Sequence, residues 1–261
     1  MADTKTTVAS EPIWVDLSST DAAGSRAFYA RLFGWTAEVS PDPQYGGYAV
    51  AKLDGKDVAG ISPAQTPEGP TAWMVYVGTN DAEETAKKVQ AAGGTVVAPA
   101  FDVADQGRMA VFQDPSGAFI SAWQPNTMSG AQLLGVPNTF GWAELNSRGI
   151  DATIPFYRAV FGWGDKRSPM SEGTDGQYCE FQLGGKSVAG GMEMNPMVPA
   201  QVPSYWLVYF TVDDIDASFK AATASGAHSM LEPQDFPGGR FAILSDPQGA
   251  AFGLIKMEAR A

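Results

Sequence analysis

An α+β fold made of two copies of one module is what this sequence predicts, and three observations predict it. The stretch Trp14–Trp35, WVDLSSTDAAGSRAFYARLFGW, returns at Trp142–Trp163 as WAELNSRGIDATIPFYRAVFGW, with Trp first, an acidic residue two later, Phe-Tyr mid-way and Phe-Gly-Trp at the close. Asp114-Pro115-Ser116-Gly117 returns as Asp246-Pro247-Gln248-Gly249. Between these markers short alternating stretches, which suit half-buried strands, are interleaved with two longer stretches of helical period in each half. Trp14 and Trp142 are 128 residues apart and Gly117 and Gly249 are 132 apart, so the copies differ only by short insertions.

Each element has its own signal. Pro12–Ser19 alternates apolar and polar residues and reads as a strand with two different faces. Thr20 or Asp21 caps the helix that follows, Phe28/Leu32 and Tyr29/Phe33 form its apolar stripe at four-residue spacing, and Gly34 ends it. Tyr48–Leu53 and Val58–Pro63 read as a hairpin around Asp54-Gly55, a pair at ease with positive φ, and Gly184-Gly185 repeats it. Trp73–Val77 is a further strand. Asp81 with Glu84 three residues later opens a second helix that runs through Val89 to Gly93, and its counterpart is expected at Asp213. Two strands close the module around Asp114-Pro115-Ser116-Gly117, where Asp, Pro and Gly occupy the first, second and fourth positions of a type I turn. Each half is thus strand, helix, three strands, helix, two strands, with helices on one face of mixed sheet. The expected boundaries are a tail over 1–12, a first module over 13–124, a Pro- and Gly-bearing linker over 125–138 and a second module over 139–257.

Composition narrows the partners. With 44% hydrophobic and 18% charged residues the chain is globular in character, and a net charge of -12 repels nucleic acid phosphates and anionic membranes. Neither is expected as a partner. Cys179 is the only cysteine, which excludes an intramolecular disulfide and fits a reducing compartment. Residues 1–12 lack a signal peptide's apolar core and no apolar run reaches the roughly 20 residues of a membrane span, so a soluble, cytoplasmic protein is expected. Self-association is left open.

The paired modules, each opening through FY..(L/V)FGW and closing on DPxG, resemble the glyoxalase/bleomycin resistance protein/extradiol dioxygenase group, the vicinal oxygen chelate superfamily, and in particular its two-module actinobacterial members. The resemblance implies tandem βαβββ-type glyoxalase-like modules whose curved mixed sheets form open half-barrels, helices outside and ligand inside. It implies a metal in many members, held by His, Gln or Glu on the first strand, a His on the strand before the second helix, and a Glu on the last strand. Here Trp14 and Trp142 take the first place, Trp73 and Trp206 stand near the second, and Ser121 and Gly253 near the third. Indole offers a metal no lone pair, and His228, the only histidine, falls outside these positions. Neither metal nor other cofactor is expected.

The residues standing there suggest chemistry of another kind. Trp14, Trp73, Trp142 and Trp206, with Ser121, and Trp123 two residues beyond it, can wall a pocket for a small planar aromatic or apolar ligand, or can be packing that fills a vacated cavity. Tyr48 and Tyr178 match on the hairpin strand and are candidates to aim hydroxyls inward. Asp16 and Glu144 share a strand face with Trp14 and Trp142, which makes them candidate acid–base groups, unless they pair with Arg108 or Arg240. Three functions compete: sequestration or carriage of an aromatic natural product, metal-free catalysis on one by proton transfer, hydration, rearrangement or hydroxylation, and a structural role with the cavity filled. The proline-bearing segments 63–70 and 195–203 are expected to be rim loops, the second softened by Met192, Met194 and Met197.

Overall fold

The computed structural model describes residues 10–66, 69–170 and 176–258. The first sequence half forms β1 (Pro12–Ser19), α1 (Ala22–Phe33), β2 (Thr36–Val39), β3 (Ala49–Leu53), β4 (Lys56–Pro63), β5 (Ala72–Gly78), α2 (Ala82–Ala91), β6 (Thr95–Val103), β7 (Gly107–Gln113) and β8 (Phe119–Pro125). The second repeats the order as β9 (Phe140–Ser147), α3 (Ile150–Phe161), β10 (Gly164–Pro169), β11 (Gln177–Leu183), β12 (Lys186–Glu193), β13 (Tyr205–Thr211), α4 (Ile215–Ala224), β14 (His228–Phe236), β15 (Gly239–Ser245) and β16 (Ala251–Met257). Each half gives one open, mixed eight-stranded sheet, in the orders β2-β3-β4-β1-β5-β8-β7-β6 and β10-β11-β12-β9-β13-β16-β15-β14. The βαβββ motif therefore occurs four times.

The strand count corrects the expected one. β2, β6, β10 and β14, unforeseen in the sequence, are all sheet edges. Edge strands need no apolar face on both sides, so their pattern is weak. β2 is largely exposed, while β6 and β14 contain Pro99 and Pro233, each where the pairing slips.

Local chemistry sets the helix ends. Asp21, Asp81 and Asp214 each accept a hydrogen bond at 2.9 Å from the backbone N–H three residues on, so the last helix is capped by Asp214 rather than Asp213. α3 starts at Gly149 and borrows the Glu193 carboxylate, which accepts from the N–H groups of Gly149 and Ile150. In both hairpins the two turn residues have positive φ (50° and 76° at Asp54-Gly55, 58° and 84° at Gly184-Gly185), as the tight turn requires.

Compact packing does not follow the sequence modules. One unit gathers Val75–Gly130 and Glu144–Trp206 with the chain up to Ile13; the other gathers Trp14–Met74, Ala131–Ala143 and Leu207–Ala261. The repeated motifs explain why. In the second unit the Trp73 indole N–H donates to the Tyr29 hydroxyl at 3.0 Å, which donates to Asp246 Oδ2 at 3.1 Å. In the first, Trp206 donates to Tyr157 at 2.9 Å and Tyr157 to Asp114 Oδ2 at 2.7 Å. The Tyr of each Phe-Tyr thus reaches the Asp of the other half's DPxG turn, and that Asp also accepts from two backbone N–H groups of its own turn. Burial and the neighbouring carboxylate raise both tyrosine pKa values well above the phenol range, and burial raises that of Asp246.

Candidate functional site

Strand alternation fixes which residues of β1 are available. Val15 and Leu17 are fully buried and Ser19 Oγ bonds Ser25 of α1 at 2.8 Å, so this set faces the helix. Trp14, Asp16 and Ser18 occupy the opposite face. There the Trp14 indole N–H donates to the Tyr48 hydroxyl at 3.1 Å, and Tyr48 is hydrogen-bonded in turn to Asp16. Burial first, then the Asp16 charge, raises the Tyr48 pKa well above its usual value, so Tyr48 acts as a neutral donor to the carboxylate. Gly60, paired with Asp16 in register, makes this possible: a Cβ there would lie 1.9 Å from the Tyr48 oxygen and 2.8 Å from Asp16 Cβ.

In the second half Leu145 is buried and Ser147 Oγ meets Thr153 of α3 at 3.1 Å, which turns Trp142, Glu144 and Asn146 to the face away from the helix. Glu144 is only 7% exposed, lies opposite Gly190, and adds to the burial that raises the Tyr205 pKa. Tyr178 lies on the same face of β11, opposite Met192, which in turn pairs with Asn146. Tyr205 and Asn146 went unremarked in the sequence. Tyr205 has no aromatic counterpart in the first half, where Ala72 precedes Trp73, and Asn146 resembles an ordinary polar strand residue.

Other expectations need correction. Trp73 and Trp206 are core residues bonded to Tyr29 and Tyr157 on the helix side, so the expected wall of four indoles is not assembled. On β5 the residues turned the other way are Met74 and Tyr76; a reading one residue out of phase exchanges the faces of a strand. Of the arginines expected as alternative partners for Asp16 and Glu144, Arg108 bridges Glu83 and Asp102, and Arg240 bridges Asp216 and Asp235. Ser121 and Trp123 do lie on the face of Tyr76, with Ser121 opposite it in register. Ser121 is fully buried with no partner for its Oγ, whereas the Trp123 N–H is committed to the Met128 carbonyl at 2.8 Å. Trp14 and Trp123 are both buried, and each has its N–H committed within the protein.

A metal does not fit these residues. Among the described residues no three of His, Cys, Asp and Glu cluster as ligands, and His228 is exposed at the start of β14. Cys179 is buried, its thiol pushed up to about 12 chiefly by desolvation, and so is protonated at neutral pH. A cavity of about 190 Å³ lies elsewhere, lined by residues including Asp81, Glu84, Lys88 and Phe161.

A family model described as Glyoxalase/Bleomycin resistance protein/Dioxygenase superfamily matches residues 12–121 and 139–254. The chain belongs to this superfamily. Two superfamily relatives match almost end to end: CFP32 of Mycobacterium tuberculosis is 42% identical over 250 residues, 94% of each chain. The anthracycline biosynthesis protein DnrV of Streptomyces peucetius is 40% identical over 260 residues, 94% of this chain and 93% of its own. Among solved structures, the 2,3-dioxygenase LapB from Pseudomonas sp. KL28 matches with TM-score 0.68 and 16% identity, over 98% of this chain and 95% of its own. The Mn(II)-bound glyoxalase from Novosphingobium aromaticivorans matches with TM-score 0.64 and 17% identity, over 95% and 82%. These structures share the superfamily fold. No helix among the described residues is long and apolar enough to cross a membrane.

Proposed function

We propose that the protein is a metal-independent superfamily member that binds a small planar aromatic molecule, sequestering or carrying it. The observation that carries this reading is the Trp14–Tyr48–Asp16 arrangement. The first-strand position that holds a metal ligand elsewhere in the superfamily is occupied by an indole whose N–H is engaged by a phenol, which sets a buried aromatic ring beside a carboxylate. The similarity to an anthracycline biosynthesis protein supports a fused-ring aromatic as the ligand. Ligand binding is proposed for Trp14, Tyr48, Trp142 and Tyr178, and for Ser121 and Trp123 on the face of Tyr76.

The second reading is metal-free catalysis on such a molecule, with Asp16 or Glu144 as the acid–base group. It is favoured by one feature: each carboxylate acts electrostatically on a neutral tyrosine, Tyr48 or Tyr205, so a hydroxyl donor and a proton acceptor stand close together.

Titrating the chelator-treated chain with a water-soluble anthraquinone sulfonate tests the first reading. Quenching of tryptophan fluorescence is expected, with part of the quench lost in Trp14→Phe and in Trp142→Phe while both remain folded. Failure of every planar aromatic to bind overturns the reading, as does one equivalent of metal that survives dialysis against chelator and is required for binding.

A further inference from the structure

Two uncharged side-chain atoms buried among the described residues lack a hydrogen-bond partner: Ser121 Oγ and Asn146 Nδ2. Asn146 is only 5% exposed, and a buried amide donor without an acceptor destabilises the fold that contains it. Leu145 and Ser147 face α3, so Asn146 projects to the other face, one pleat beyond Glu144. The two Cα atoms are about 7 Å apart by strand geometry, which sets an amide donor beside a carboxylate acceptor. Gly190, opposite Glu144, contributes no side chain, and Met192, opposite Asn146, contributes an adaptable one. Just beyond this end of β9 the Arg148 guanidinium holds the 195–203 loop by the carbonyls of Val198, Pro199 and Val202. The first half has Ser18 at the matching position and carries no amide there.

We propose that Asn146 is a ligand-binding residue of the second half, its amide donating to a carbonyl oxygen of an aromatic whose neighbouring hydroxyl is held by Glu144. The ligand class is then a hydroxy-carbonyl aromatic, in which a fused ring system presents one acceptor and one donor along the same edge. A plain polycyclic hydrocarbon leaves the Asn146 amide unsatisfied. This rests on the reading that the protein binds planar aromatics and adds the polar edge that selects among them.

The test compares two probes by isothermal titration calorimetry against the full chain in mildly acidic buffer: 2-hydroxyanthraquinone, which has a carbonyl and a hydroxyl free of any internal hydrogen bond, and 2-hydroxyanthracene, which has no carbonyl. The wild-type chain is expected to prefer the first by about tenfold, the equivalent of one net hydrogen bond. Asn146→Leu removes the donor at similar size. It should lose about tenfold for 2-hydroxyanthraquinone, leave 2-hydroxyanthracene unchanged, and melt no lower than wild type. Asn146→Ser, which imports the first half's residue, should show the same selective loss and serves if the leucine variant does not fold. Equal wild-type affinity for the two probes overturns the inference. So does an equal loss on both, or a lowered melting temperature with the preference intact. If wild type binds neither probe, nor any other planar aromatic, the proposed function falls with it; if it binds both alike, only this inference falls.

Discussion

Trp, Tyr and Asp are combined twice on opposite faces of the first half's β1–β5 region, with different consequences. Trp73–Tyr29–Asp246 is sealed in the core, while Trp14–Tyr48–Asp16 lies on the face away from the helix, with Tyr48 and Asp16 only partly buried. Tyr29→Phe strands two buried groups, the Trp73 N–H and Asp246 Oδ2. A loss of about 2–4 kcal/mol is expected, at about 1–3 kcal/mol per unsatisfied group. Calorimetry should show this as a fall of roughly 5–15 °C. Tyr48→Phe should melt much closer to wild type and change ligand affinity instead. The carboxylates on that face separate binding from catalysis. If the protein turns over an aromatic substrate, Asp16→Asn or Glu144→Gln should lower the rate by roughly 10²- to 10⁴-fold with binding retained. In a pure binder the same variants should shift affinity only. Rates and affinities unchanged in both would remove these residues from the mechanism.

The elements were legible where their residues do local work. Helix caps, turns and central strands all announce themselves: Asp21 and Asp81 sit at their caps, Gly34 ends α1 at φ 73°, and both hairpins turn where two residues tolerate positive φ. Edge strands were missed because a strand with one neighbour needs little burial, and Pro99 and Pro233 read as breaks although they mark irregular pairing at an edge. The loop at 195–203 was expected as a rim, and what tethers it is Arg148, an exposed residue in the turn before α3. Arg148→Ala should therefore leave the melting temperature within about 2 °C of wild type, since an exposed side chain's bonds are worth little. Limited proteolysis should then cut faster within 195–203, and bound aromatic ligand should dissociate faster. Unchanged cleavage would show that the loop holds its place without the arginine.

For the whole molecule the important fact is that the repeat unit of the sequence is not the unit of packing. Tyr29 finds Asp246 and Tyr157 finds Asp114, so each compact unit takes motifs from both sequence halves. A chain cut within 125–138 should show this. Either half alone, lacking the partner for its tyrosine and its DPxG aspartate, should give no cooperative thermal transition. Mixing the two should restore one, read by calorimetry and by a co-eluting complex on gel filtration. Two halves that each melt cooperatively by themselves would mean that the sequence modules fold independently of these contacts.

The sequence by itself determined the duplication, the α+β motif, the turns and caps, and the superfamily, because each depends on local backbone preference or on residues repeated at fixed spacing. Only the tertiary structure decided what the marker residues touch. Tyr29 and Asp246 stand 217 positions apart, and nothing local to either names the other. The same holds on the open face, where a phase error of one residue moved Trp73 and Trp206 from a supposed pocket wall into the core. Asn146 acquired significance only once burial had removed water from an amide that has no other acceptor.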